Sequence, residues 1–292
     1  MTAMAMETGI DLRRLKRGIR SPKGNLLLLF GALVAVAIAV QDSSRALPSV
    51  FYAVAAASVA DIVVQRIGRR MWVFPTAGIL SGLIVAMVLS PYESAVIAPT
   101  AAVLAITTKH LFRARLTNIF NPAALALVIV AVLFNSIQSW WGATPDAGWS
   151  GVFLIGGLGW YTADRVNKLP MVLMFLGSFY LLATTTSFVS TSPEVASVFR
   201  SPDLHAALFF SFFMLDDPPT SPVKYRDQLF FGLLVGVTAF GALEMFGWLY
   251  YLLAGLLVGN AWWAAQRTYR DWKRRQTTRQ PEPQVSWARP RW

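Results

Sequence analysis

The chain is 292 residues long and 55% hydrophobic, with a mean hydropathy of +0.49, a formal net charge of +11 and no cysteine. That apolar share excludes an ordinary soluble domain, and the lack of cysteine excludes disulfides and the usual thiolate ligands of zinc or an iron–sulfur cluster. The basic residues flank apolar stretches, so the charge reads as membrane orientation and not as nucleic-acid binding.

Residues 1–24 carry Arg13, Arg14, Lys16, Arg17, Arg20 and Lys23. No small-residue cleavage site clearly follows the first apolar run, which predicts a retained anchor. Ten apolar runs follow: Asn25 to Val40, Ala46 to Val64, Val73 to Ser90, Ala95 to Thr108, Ile119 to Phe134, Gly151 to Ala163, Leu169 to Phe188, Leu204 to Leu215, Gln228 to Phe246 and Trp248 to Ala265. With both termini in the cytoplasm, 24 of the 26 Lys and Arg fall on that side and only Arg45 and Arg200 fall outside. The positive-inside rule and the ten-run count therefore agree, for a multi-pass protein of the cell inner (plasma) membrane. Residues 266–292 read as a flexible basic extension lying against anionic lipid.

Ten spans divide into two sets of five, about 25–135 and 150–265, and an odd number per set makes the second set run inverted. The expected fold is an all-α integral membrane protein of about ten transmembrane helices in two inverted five-helix repeats. Such repeats place sites near the midplane, where interrupted helices meet. The third span of each half is the weak one: the first opens with Pro75 and Gly78, and the second, Leu204 to Leu215, is too short for a core of about 30 Å. It ends in Asp216, Asp217, Pro218, Pro219, Thr220, Ser221 and Pro222. Acids at a proline-broken helix end are tolerable only inside protein or beside a water-filled cavity. This loop is the first candidate site, with Asp216 and Asp217 as ion-path candidates whose repulsion needs a proton or a partner such as Lys224 or Arg226. Helix capping and loop closure are the plainer use of the same residues. Asp61 and Glu244 are hydrogen-bonded or snorkelling acids, with an ion path as the alternative.

Before the fifth run, Asn121 followed by Pro122 is a helix-start signature. Asn118 and Asn121 also become candidates for lining a cavity opposite Asp216 and Asp217, where a helix N-terminus favours an anionic or electron-accepting group.

The runs TNIFNPAALALVIV (117–130), KLPMVLMFLGSFYLL (168–182) and LHAALFFSFFMLDDPPTSP (204–222) carry a resemblance, in that order along the chain. Together with VFYAVAAASVADIVVQRIGRR and TAGILSGLIVAMVLSP, they resemble the NqrB/RnfD family over roughly residues 25–265. The resemblance is closer to the shorter D subunit. It implies a ten-helix, two-repeat fold, shaped like urea and ammonium channels, that passes electrons through flavins in ion-translocating complexes. It also implies FMN joined through its phosphate to a threonine of an S/T-G-A-T motif in the outer loop after the fifth helix. Trp141, Gly142, Ala143 and Thr144 stand there, making Thr144 the covalent FMN candidate and a flavin transferase an expected partner. Asn118, Asn121, Asp217, Thr220 and Ser221 are the implied cofactor-site residues. The departure is Trp141, where the pattern has Ser or Thr. A turn at 142–145, with Trp140, Trp141 and Trp149 as an interfacial aromatic belt, is the plainer reading.

The ring of a flavin wants apolar walls and a few tuning groups. Phe209, Phe210, Phe212 and Phe213 offer such walls, and they equally suit an ordinary core. With no nucleotide-binding fingerprint and no cysteine, the chain cannot itself collect electrons from NADH or ferredoxin, so other membrane and redox subunits are expected partners. The competing expectation is a cofactor-free channel or transporter for a small solute or ion on the same scaffold. A third is an accessory membrane protein of a biosynthetic or export pathway.

Overall fold

The computed structural model describes residues 22–41, 43–69, 74–114, 117–189 and 193–278. The expected N-terminal segment up to residue 21 and the last residues, 279–292, lie outside the described residues. Eleven helices are present among those described: α1 Pro22–Val40, α2 Ser43–Arg69, α3 Thr76–Val88, α4 Ile97–Leu111, α5 Pro122–Phe134, α6 Gly148–Arg165, α7 Leu169–Val189, α8 Pro193–Ser197, α9 Asp203–Phe213, α10 Tyr225–Phe246 and α11 Tyr251–Thr278. Apart from the five-residue α8, each coincides with one of the ten apolar runs. By length and composition three of them, Ser44–Gly68, Leu169–Val189 and Tyr225–Phe246, can cross a membrane alone. The chain is an all-α protein with membrane-spanning helices.

α3 and α9, thirteen and eleven residues long, are the expected short members, and α5 at thirteen is as short as α3. A thirteen-residue helix reaches about 20 Å, well short of a hydrocarbon core, so their ends must be met by other protein. α3 packs on α2, and Gly78 and Gly82 let the two backbones touch: a Cβ at either would lie 2.7 Å from the backbone of Ala57 or Val54. Asp61 on α2 accepts a hydrogen bond from the Gly78 N–H at 3.2 Å and so ties the start of α3 in place. Glu244 is exposed.

α2 also packs on α4, and α4 on α5; in the second half α7 packs on α10, α10 on α11, and α6 on α9. The halves join where α5 meets α11 and where Phe30 packs on Phe209 and Phe213. Outward faces carry large apolar side chains, among them Phe51, Leu133, Phe153 and Leu181, each more than 60% exposed. An apolar belt of that extent suits lipid and not water.

The loops gather at two ends. One holds the hairpin β1 Arg113–Ala114 with β2 Thr117–Asn118, the turn at Asn167, the loop 214–224 and the last turns of α11. The other holds the loops 89–96 and 135–147 together with Ser201, tied by Ile137 N–H donating to Glu93 Oε1 at 2.6 Å and by Ser201 Oγ donating to the Pro145 carbonyl at 3.1 Å. This is the grouping that the alternating topology predicts. One expectation is corrected: the residues from Gln266 onward are not a frayed extension at their start, because α11 runs on to Thr278. Arg270 there holds Asp227 of α10 with two bonds of 2.7 and 2.8 Å, which extends the helix pair past the apolar region.

Candidate functional site

α9 ends at Phe213, and the chain then turns through 214–222, where three prolines remove N–H donors and forbid a continued helix. The turn closes on Asp217. Thr220 Oγ1 donates to Asp217 Oδ2 at 2.9 Å, Ser221 Oγ donates to the Asp217 carbonyl at 2.7 Å, and the Thr220 N–H reaches the same carbonyl at 3.2 Å. Asp216 is 7% exposed, Thr220 and Ser221 are buried, and Asp217 is half-buried.

Asn121 approaches from the first half. Its Oδ1 accepts the Ala124 N–H at 3.1 Å, with Pro122 in the first turn, so the capping role holds. Its other side-chain atom reaches further: Nδ2 donates to the Met214 carbonyl at 3.2 Å, the residue where α9 gives way to the loop. The expected meeting of Asn121 with the Asp216 loop is therefore present. Asn118 joins through its carbonyl and not its side chain, accepting from Arg267 Nη2 at 2.9 Å.

Three residues that the sequence did not single out complete the cluster. Asn260, fully buried on α11, accepts the Asn121 N–H at 2.8 Å and donates to the Thr220 carbonyl at 3.2 Å, bridging the two loops. Arg267, two turns on, donates to Thr117 Oγ1 at 2.6 Å and to the Pro219 carbonyl at 3.3 Å. Lys168, buried between α6 and α7, donates to the Pro222 carbonyl. Its ammonium, and not Lys224 or Arg226, is the cation sealed in with the acid pair: Lys224 and Arg226 are exposed.

Burial and the neighbouring Asp217 hold the Asp216 carboxyl well above the usual carboxylate range, against the pull of Lys168. Burial pushes Asp217 up to about 6, with the Thr220 hydroxyl, Lys168 and Lys109 pulling the other way. Burial lowers Lys168 to about 8, opposed by both acids. An acid pair beside one buried ammonium can exchange a proton, and its carboxylate, carbonyl and hydroxyl oxygens could take a small hard cation only in competition with Lys168.

The Thr144 region is built differently. The chain folds back over the end of α3: Ser139 and Trp140 N–H both donate to the Val88 carbonyl at 3.0 Å, and the Ser90 N–H donates to the Ile137 carbonyl at 3.0 Å. Two 3-10 turns, Trp141–Ala143 and Pro145–Ala147, flank Thr144, which has φ +53 and is fully buried. Its hydroxyl has no hydrogen-bond partner. Trp140 and Trp141 are buried, so of the expected belt Trp149 alone is exposed. His205 lies alongside, its Nε2 3.0 Å from the Gly148 carbonyl and its Nδ1 3.3 Å from Ser201 Oγ.

Residues 20–151 match the family model described as "NQR2, RnfD, RnfE family". Over this stretch the chain is similar to the NqrB/RnfD type. It contains α1 to α5, Asn118, Asn121 and the Trp141–Thr144 turn, and it stops short of the Asp216 loop. The NqrB/RnfD family supplies membrane subunits to ion-translocating electron-transport complexes, and such subunits work with membrane partners. No curated protein matches the chain.

The NqrB/RnfD resemblance brings FMN to Thr144, and the residues present do not fit it. The hydroxyl that would carry the phosphate is enclosed, and a mere Cβ at Gly151 would stand 2.7 Å from Oγ1. The Phe cluster offers no open wall either: Phe209 and Phe210 pack on Trp140, Phe210 on Phe175, and Phe213 on Phe30 and Phe209.

Proposed function

We propose that the chain is a membrane subunit of an ion-translocating electron-transport assembly, and that its own contribution is to pass a sodium ion or a proton through the loop bearing Asp216 and Asp217. The observation that carries this reading is the cluster at the end of α9 in which Asp216, Thr220, Ser221 and Lys168 are buried around the half-buried Asp217, closed over by Asn121 and Asn260. Ionisable groups enclosed within a membrane protein commonly mark ion or proton pathways. Electron collection falls to partner subunits. The redox part of the reading, FMN included, rests on the family and on partners, and no step is drawn through Thr144.

We infer also that the two halves are inverted copies. What supports this is the recurrence of the α2–α4–α5 pairing as α7–α10–α11, with a short third helix in each half.

The enclosed Thr144 hydroxyl favours a second reading, a transporter that works without a cofactor. One experiment separates the two. The chain is purified alone, and also through a tag that retains co-purifying subunits, and each preparation is reconstituted in liposomes with sodium- and proton-sensitive dyes. Flux that appears only with the subunits and a reductant supports the assembly. Flux in the chain alone, with no flavin released on denaturation, supports the transporter.

A further inference from the structure

The seat that the family gives to a flavin phosphate is filled here by the chain itself. Trp141 is 1% exposed, and its indole N–H donates to the Ala86 carbonyl of α3 at 2.6 Å. Its ring packs with Ala37 of α1 and Ala46 of α2, where small side chains leave room for an indole. The next residue locks the turn from the other side: a Cβ at Gly142 would fall 2.3 Å from Met87 Cβ, so 141 and 142 straddle the last turn of α3. The hydroxyl of Thr144 is thereby turned inward onto the α6 backbone. A Cβ at Gly151 would meet Thr144 Oγ1 at 2.7 Å, the Thr144 carbonyl at 2.6 Å and His205 Nε2 at 3.1 Å. With the α6 backbone at Gly151 this close and Thr144 fully buried, no room is left beside Oγ1 for a phosphorus atom and its remaining oxygens.

We infer that Trp141 is a built-in plug that closes the Thr144 hydroxyl to any phosphoryl-transfer reaction, so that this chain is not modified at Thr144. An anchored indole in place of a Ser or Thr side chain does two things. It supplies buried apolar area, and it fixes the turn to α3 by a hydrogen bond that no small hydroxyl at the same Cβ could reach across. The inference does not depend on ion passage at Asp216 and Asp217, and the test below reads neither flux nor redox activity.

The natural sequence has no cysteine, so Thr144→Cys is a single reporter. In membranes, Thr144→Cys is expected to resist a small thiol-reactive maleimide, while Asp146→Cys, at an exposed position two residues on, reacts fully. Adding Trp141→Ser to Thr144→Cys is expected to raise its labelling rate at least tenfold. Trp141→Phe keeps most of the ring and loses the N–H, and it guards against a general collapse: it is expected to give an intermediate rate with unchanged labelling at Asp146→Cys. The intact mass of the wild-type chain, co-expressed with a flavin transferase, is expected to equal the sequence mass. Rapid labelling of Thr144→Cys with Trp141 in place, no rate increase in Trp141→Ser, or an FMN mass on the wild type that disappears in Thr144→Ala would each overturn the inference.

Discussion

At the scale of single residues, Asn121 does two jobs with one amide, and they separate by mutation. Asn121→Asp keeps the cap on the Ala124 N–H and loses the Nδ2 donor to Met214; Asn121→Ala loses both. Asn121→Ala is expected to lower stability by about 1–2 kcal/mol, read as thermal unfolding in detergent, with Asn121→Asp between it and wild type at low pH. Asp217 makes a pH prediction. Burial lifts it from 3.8 to about 6, so across that window the folded chain keeps a proton that the unfolded chain releases. The stability linked to this group is fully present below its unfolded pKa and is lost as pH rises through about 6. Unfolding temperature followed over that range should fall for wild type and flatten in Asp217→Asn, where Asp216, shifted in the same direction, leaves a residual slope. The Asn–Pro step and the acid pair were legible in the sequence because each is a local signal. Lys168 was not, since among loop cations it registers only as a topology charge. Nor was Asn260, which stands as one polar residue in an apolar run and acquires meaning only from partners 139 and 40 positions away.

At the scale of elements, the ten apolar runs were sufficient to place ten helices, because hydropathy and length act along the chain. What they could not place is how the interrupted helices are closed, which is decided by contacts across the molecule. α3 is capped by the returning chain at 137–144, and α9 by Asn121, Asn260 and the strap of Arg267. The strap lies in the part of α11 that composition alone read as a frayed tail, since a run of arginines looks solvated until its acceptors are known. Arg267→Ala removes donors to Thr117, Asn118 and Pro219 together. Charge-assisted bonds of this kind contribute about 1.5–3 kcal/mol. Hydrogen exchange in the loops 117–121 and 214–224 is expected to accelerate in both at once in that variant; acceleration in one loop alone would show that the strap does not couple them.

At the scale of the whole molecule, two loop sets lie at opposite ends with an apolar belt between them, a polar cluster with Asp216 and Asp217 beneath one end and the enclosed Thr144 beneath the other. Cysteines placed singly at the exposed positions Asp146 and Lys224 are expected to react with an impermeant maleimide from opposite sides of the membrane. The resemblance to the family was readable from motifs in both halves, and the match over residues 20–151 agrees with those in the first. The closure of Thr144 was not readable, because Trp141 shows its effect only where α1, α2 and α3 converge on it. The most direct test of ion passage is sodium and proton flux into proteoliposomes holding the chain with its co-purifying subunits, compared between wild type, Asp217→Glu and Asp217→Asn at matched thermal stability. The account predicts that Asp217→Asn loses at least nine-tenths of the flux of one of the two ions while Asp217→Glu retains part of it; equal flux in all three would contradict it.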